Sequence, residues 1–406
     1  MMVQIFETPE DNGSDRHYFF AKEFVKKGDK VNVITGNIDY KRACKRFDTN
    51  RPLSKSYSGI NVLYAPVFSN FRGSYFKRSI YYISLIMSSF LALMKSSKTA
   101  DLIYGASPPL TVPFVCAIVA KFRKLPFILE VCDVSPDAAV HSGVLKSKIV
   151  IWMARKIEFF CYKNAAHIIC LTEGMEKNIT EKGISFSKIS LVTNGVDLEL
   201  FRAVGRDSRL SIKSSLGLNN KFVAMYLGAH GKYNALETIV EAARNLQDDK
   251  NIMFVFVGDG EEKARLEIMV SGENLNNVLF LGSVNRAKAV ELLSVADCFL
   301  LPNLAGDFFK GNLPNKLFDY LASARPIIVS GHVESGVLVE KIDAGFVLDA
   351  EDPAQLSNSI KTVYSMSAAE RHKLGENGNV YVRSHYDRKK HVDQLSCIFT
   401  EVLSKH

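Results

Sequence analysis

The 406-residue chain has no CxxC pair. Its seven cysteines, Cys44, Cys116, Cys132, Cys161, Cys170, Cys298 and Cys397, are scattered and odd in number. This spacing suggests neither a zinc site nor a disulfide framework, and it fits a reducing, cytoplasmic setting. GxxxxGK[ST] is absent, which excludes a Walker loop, and without GxGxxG a dehydrogenase is not expected. The nine histidines are isolated, so no Ser–His–Asp or metal-ligand cluster emerges. The first residues, MMVQIFETPEDNGSDR, lack the apolar core of a signal peptide. The most apolar stretch, Ser79 to Met94, is flanked by Lys77, Arg78 and Lys95 and contains three interior serines. It falls short of the roughly 20 residues that span a bilayer, and reads as a buried or surface-lying helix. Charge of one sign is not extreme: 51 Lys and Arg face 43 Asp and Glu, a net +8. That excess favours nucleotides or anionic lipid as partners without calling for nucleic acid.

What is present is an alternation of short β-rich runs with longer amphipathic segments, the pattern of an α/β fold with parallel sheets. In the first half, residues 3–6, 30–35, 60–64, 102–104, 127–131, 167–171 and 189–192 read as strands. Helices fall at 15–27, 78–94, 110–123, 148–163 and 173–182. The alternation restarts with strands at 222–227, 253–257, 278–281, 298–301, 326–329 and 346–348. Helices there fall at 235–246, 261–271, 287–296, 317–322, 335–341 and 354–366. Two sets of about 180 residues imply two Rossmann-like domains facing a cleft, 1–200 and 201–385. A final segment, 386–406, is expected to pack back on the first domain.

The loops after the strands carry the candidate chemistry, because open α/β sheets bind ligands at their carboxyl edge. Gly13, in TPEDNGSD, lets backbone approach a bound group, although an ordinary capped turn explains it equally. Gly228, His230, Gly231 and Lys232, in YLGAHGK, combine exposed amides, a following helix dipole and a cation, a set suited to a diphosphate. Gly258 belongs to a second glycine-rich strand end, VGDG, and Ser283 and Val284 follow the strand at 278–281. The segment DFFKGNLPNKLFDYLA places Leu313, Pro314 and Lys316 at a helix start, with amides free to meet phosphate. Asp319 lies one turn in, where a carboxylate could accept ribose hydroxyls; a solvated Lys316–Asp319 pair is the plainer alternative. In the first domain, Glu130, Asp133 and Asp137 follow a buried-looking strand, and Asp133 could orient a sugar or accept a hydroxyl proton. His17 and His141 lie near the same edge, where a lone histidine is more often structural.

Taken together, FETPE, FAKEFVKKG, ASPP, EVCD, TNGVD, LGAHG, VGDG and LPNKLFDY resemble glycosyltransferase family 4 over nearly the whole chain. The likeness is greatest to bacterial enzymes of O-antigen, capsule or colanic-type polysaccharide synthesis, of the fucosamine-transferase-like kind. The resemblance implies a GT-B fold and a nucleotide-sugar donor, with UDP preferred and an N-acetylated amino sugar as the group moved. It implies retention of configuration, no required metal or other cofactor, and a lipid-linked saccharide acceptor held by the first domain. It casts Asp319 as the second acid of the E-x7-E motif and Lys232 as the cation neutralising the leaving diphosphate. Arg72, Lys77 and Arg78 beside the apolar run 80–94, and Lys146, Lys148, Arg155 and Lys156 around Trp152, point to peripheral attachment to the cytoplasmic face of the inner membrane, although core packing explains the apolar residues nearly as well.

Several positions depart from the family pattern. Gly311 stands where the first acid of E-x7-E is expected, and Asp307 is a nearby substitute. Gly105 stands where many members have a histidine after the strand ending at Tyr104. Cys132 replaces a frequent arginine, and the Arg–Lys pair is reduced to His230 and Lys232. The first strand is short, as if residues usual before Gln4 were missing. These departures leave open a non-catalytic partner subunit, and the shared architecture leaves open a sugar-nucleotide epimerase.

Overall fold

The computed structural model describes every residue except 41, 72, 138–139, 141–144, 203–204, 307–310 and 312. The chain forms two compact units. One comprises Met1–Thr8, Ser14–Thr193 and His391–His406; the other comprises Pro9–Gly13 and Asn194–Lys390.

The first unit runs α1 (Arg16–Lys26), β1 (Asn32–Gly36), β2 (Leu53–Tyr57), β3 (Ile60–Ala65), α2 (Tyr75–Ser96), β4 (Ile103–Ser107), α3 (Thr111–Arg123), β5 (Phe127–Val131), α4 (Lys148–Asn164), β6 (His167–Cys170), α5 (Glu173–Glu181) and β7 (Ile189–Leu191). The strands order as β1-β3-β2 and β4-β5-β6-β7. All pairs are parallel except β2 with β3. The expected strand at 3–6 is a single bridging residue, Met2, which pairs with both Ile34 of β1 and Gly105 of β4. The short edge strand β2 escapes sequence reading because Ser54, Lys55 and Ser56 are all exposed, leaving no apolar alternation.

Strand β5 shows why both faces are covered. Phe127, Leu129 and Val131 enter one hydrophobic cluster with α2, α3 and α4 residues, while Ile128 enters another with α1. Alternate side chains point to opposite faces, so Glu130 must join Ile128 on the α1 side. That leaves a buried carboxylate needing partners.

The second unit runs α6 (Leu198–Arg202), α7 (Arg206–Ser215), β8 (Phe222–Leu227), α8 (Leu236–Asn245), β9 (Ile252–Val257), α9 (Lys263–Gly272), β10 (Val278–Leu281), α10 (Arg286–Leu293), β11 (Cys298–Pro302), α11 (Asn315–Ala322), β12 (Ile327–Ser330), α12 (Glu334–Lys341), β13 (Gly345–Leu348), α13 (Pro353–Ser365) and α14 (Ala368–His385). Its six strands are parallel, in the order β10-β9-β8-β11-β12-β13. The switch point of the order lies at β8 and β11, so β8, β9 and α11 meet at the edge where a ligand is expected. Helix α14 was not legible because Gly375 and Gly378 weaken its helical signal. Packing demands them: a Cβ on Gly375 would lie 2.2 Å from the Ala324 carbonyl oxygen. The last helix, α15 (Arg388–Ser404), belongs to the first unit from His391 onward. There Phe399 stacks on Phe24 with centroids 5.1 Å apart, and Lys27 meets Asp393 at 2.6 Å.

Candidate active site

In the second unit, the glycine loop after β8 and the start of α11 come together. Tyr320 of α11 is the clamp: the Leu227 amide donates to its hydroxyl at 2.9 Å, and the hydroxyl donates to the Leu227 carbonyl at 3.2 Å. The Tyr320 ring stacks on Phe299 of β11, centroids 4.3 Å apart, which fixes the helix against the sheet. One turn earlier, Lys316 Nζ donates to the Tyr226 hydroxyl at 2.6 Å and to Asn234 Oδ1 at 3.1 Å. The ammonium also sits over the Tyr226 ring, 4.2 Å from its centroid. Tyr226 in turn donates to the Ala229 carbonyl at 2.7 Å, and Asn234 Nδ2 to the same carbonyl at 3.0 Å. One lysine therefore organises the whole turn.

The turn needs glycine. Gly228 has φ +155°, and a Cβ there would lie 2.9 Å from Lys316 Nζ. Gly258 has φ +142°, and its Cβ would lie 2.0 Å from the Gly228 carbonyl oxygen. Two glycine-rich strand ends are thus pressed backbone to backbone.

Lys316 is partly buried, and among the described residues no carboxylate is paired with it. Removal from water pulls its pKa down to about 7. The alternative Lys316–Asp319 pair is not formed. Asp319 instead receives both ends of a guanidinium, Arg286 Nη1 at 2.6 Å and Nη2 at 2.5 Å, with both side chains nearly buried. Sequence reading missed Arg286, Tyr226, Asn234 and Tyr320, since nothing in their spacing marks them. Any ribose contact by Asp319 shares a carboxylate already oriented by Arg286.

His230 is a correction. Its ring is fully buried among Tyr226, Phe256 and Phe280, and burial lowers its pKa to about 4. It cannot act as the second cation. Its backbone does the work, donating to the Asp259 carbonyl and accepting from the Glu262 amide, each at 2.9 Å. Lys232 is exposed, following Gly231, and lines a cavity of about 240 Å³ with Glu237, Glu262 and Arg265. Ser283 and Val284 lead from β10 to Asn285, whose side chain caps α10. The Asn12 side chain donates to the Ser283 carbonyl at 3.4 Å, which sets the segment preceding Gly13 against the residues after β10. Leu313 and Pro314 precede α11, with Pro314 as its N-cap. Gly311 is exposed, and Glu334 Oε2 stands 3.8 Å from where its Cβ would be. Asp307 lies outside the described residues.

The first unit holds a second polar cluster. Glu130, fully buried, accepts from Arg16 Nε at 2.9 Å and pairs with His17 Nε2 at 2.7 Å. Arg16 also donates to the carbonyls of Thr193 (2.9 Å) and Val192 (3.1 Å). Burial alone would raise the Glu130 pKa, but Arg16 and His17 overcome it and hold the carboxyl well below its ordinary range. Cys132 Sγ joins this group within 4.8 Å. The Arg16 charge and the occupied carboxylate oxygens make it an ion-pair cluster rather than a cation site. Asp133 is exposed beyond the carboxyl end of β5. Asp137 is tied to Lys182 at 3.0 Å and Arg155 at 3.3 Å; His141 lies outside the described residues.

Gly105 is not a vacated site position. Strand β4 continues to Ser107, which puts Gly105 inside the sheet, where a Cβ would lie 2.6 Å from Cys116 Sγ. A histidine there would have to displace the core.

Residues 208–380 match the family model described as glycosyl transferases group 1, and residues 20–195 match the glycosyl transferase 4-like domain. A UDP-Gal:alpha-D-GlcNAc-diphosphoundecaprenol alpha-1,3-galactosyltransferase of Escherichia coli is 29% identical over 333 residues, 77% of this chain and 81% of that one. An Escherichia coli K12 chain, WcaI, assigned to colanic acid biosynthesis as a glycosyl transferase, is 27% identical over 282 residues, 68% of this chain and 69% of that one. Among solved structures, Anabaena HepE in complex with UDP-glucose superposes with TM-score 0.73 at 16% identity, covering 98% of each chain.

Proposed function

The chain belongs to the glycosyltransferases of family 4, with the GT-B fold; from that premise we propose that it moves an N-acetylated amino sugar from UDP to a lipid-linked saccharide, with retention. The observation that carries the donor side is Lys316. A partly buried ammonium whose partners among the described residues are neutral, set beside a glycine loop and the first turn of α11, suits an anion. A diphosphate supplies it. As the glycosidic bond breaks, charge grows on the leaving diphosphate, and Lys316, the loop amides and Lys232 stabilise it. The acceptor hydroxyl attacks from the same face and its proton passes to the leaving phosphate, so no enzymic nucleophile and no metal are required. Asp133, exposed at the β5 edge, and the Asp319–Arg286 pair are assigned to acceptor orientation and ribose recognition respectively.

The Escherichia coli galactosyltransferase named above acts on a diphosphoundecaprenol-linked sugar. An acceptor of that chemistry makes this chain a peripheral enzyme of surface polysaccharide synthesis, at the cytoplasmic face of the inner membrane. Seven free cysteines suit that compartment. The test is a thermal-shift panel of UDP-, GDP- and dTDP-sugars, because a ligand that binds only the folded state raises the melting temperature with its concentration. Stabilisation by UDP-sugars above the others is expected. A flat response to every nucleotide would remove the donor assignment.

A further inference from the structure

Helices α2, α3 and α4 lie side by side on one face of the first unit, α2 against α3 and α3 against α4. Their inner sides are core: Leu93, Val115 and Cys161 share one hydrophobic cluster. Their outer sides lack the polar character of ordinary solvent-facing helices. On α2, exposed positions recur every fourth residue as Ile83, Met87 and Leu91, which are 56, 63 and 68% exposed. On α4, Ile149, Trp152 and Met153 are 73, 62 and 51% exposed. Both spacings trace one stripe of a helix, so register places apolar surface outward on both.

The charge around these stripes has one sign. The three helices carry nine basic side chains and a single carboxylate, Glu158. Glu158 is buried and held by Lys182 at 2.6 Å, so it contributes nothing to the surface. Arg155 is paired with Asp137 at 3.3 Å. Apolar stripes flanked by this excess of lysine and arginine complement an anionic bilayer: acyl chains for the stripes and phosphates for the cations.

We propose that this face is a membrane-docking surface, on which α2 and α4 lie in the plane of an anionic bilayer with their exposed apolar side chains at the headgroup–acyl boundary. Helix α2 lies on the membrane rather than crossing it. Residues 76–99 are long and apolar enough to span, with mean hydropathy 1.3. Yet Tyr81, Leu85 and Leu93 on the other side of α2 are buried, and the Tyr81 hydroxyl accepts from Gln4 Nε2 at 2.8 Å. Spanning would tear these from the first unit. The proposal suits a lipid-linked acceptor but stands without it, since docking needs no substrate.

Trp152 is the only tryptophan, which makes it a native reporter. The full chain is mixed with phosphatidylglycerol-containing vesicles and with phosphatidylcholine vesicles, then floated. Flotation with the anionic vesicles, weakened by salt, is expected. Trp152 emission shifts to the blue and is quenched by brominated acyl chains, and alkaline carbonate releases the protein. The double variant Met87→Glu, Ile149→Glu, at exposed positions, keeps the wild-type melting temperature while its partitioning falls roughly tenfold or more. Absence of flotation, flotation with unchanged Trp152 emission, undiminished partitioning of the variant, or resistance to carbonate each overturns the proposal. Nucleotide binding is read separately by thermal shift, so failure here leaves the donor assignment standing.

Discussion

Lys316 has two neutral hydrogen-bond partners and, among the described residues, no carboxylate. Under the proposed donor assignment, Lys316→Ala removes a charge-assisted contact to the diphosphate. A hydrogen bond to a charged group contributes about 1.5–3 kcal/mol, so UDP affinity should fall about 10–100-fold by calorimetry. The pH dependence follows from the lowered pKa. Without ligand, Lys316 gives up its proton near pH 7 in the folded state, well below its unfolded value. Folding therefore disfavours its charged form, and stability gains as pH rises from about 7 toward the unfolded pKa. A bound diphosphate favours the ammonium, so binding above about pH 7 takes up a proton. UDP affinity should decline with rising pH there in the wild type, and the decline should be absent in Lys316→Ala; calorimetry in buffers of different ionisation enthalpy reads both. The sequence placed Lys316 at the helix start, with a solvated pair to Asp319 as the plainer alternative to ligand binding. Helical spacing made that pairing natural. The tertiary partners Tyr226, Asn234 and Arg286 come from other loops and helices, which no local pattern reveals.

The elements were more legible than the residues. Strands β5 and β8 fall where their apolar runs place them, because parallel strands buried on both faces leave a continuous signal. Elements with a second duty were hidden. Met2 bridges two sheets without being a strand, and α14 carries glycines that permit contact with the Ala324 carbonyl. Glycine at 258 was legible as a turn, but its reason was not: it admits the Gly228 carbonyl at a distance no Cβ allows. Gly258→Ala should force the two strand ends apart. We expect a loss of about 1–3 kcal/mol in stability, measured by urea unfolding, together with loss of stabilisation by UDP. Wild-type UDP binding by this variant would show that the two loops do not form one site.

At the scale of the molecule, the buried Arg16–Glu130–His17 cluster ties α1, β5 and the segment after β7 into the first unit. Glu130→Gln leaves the Arg16 charge without its partner, a change that costs about 3–5 kcal/mol at comparable sites. Because Glu130 has a depressed folded pKa, its contribution is present above the ordinary carboxylate range and is lost as pH falls through the folded value. The wild type should lose stability steeply in strong acid, and Glu130→Gln should show a shallower fall from a lower starting point in a pH series of thermal melts.

The most direct measurement is a structure of the chain with UDP bound. The account predicts the β-phosphate within hydrogen-bonding reach of Lys316 Nζ and of amides in the Gly228–Gly231 turn, with the ribose toward Asp319 and Arg286. A diphosphate bound elsewhere, with Lys316 still held only by Tyr226 and Asn234, would contradict it.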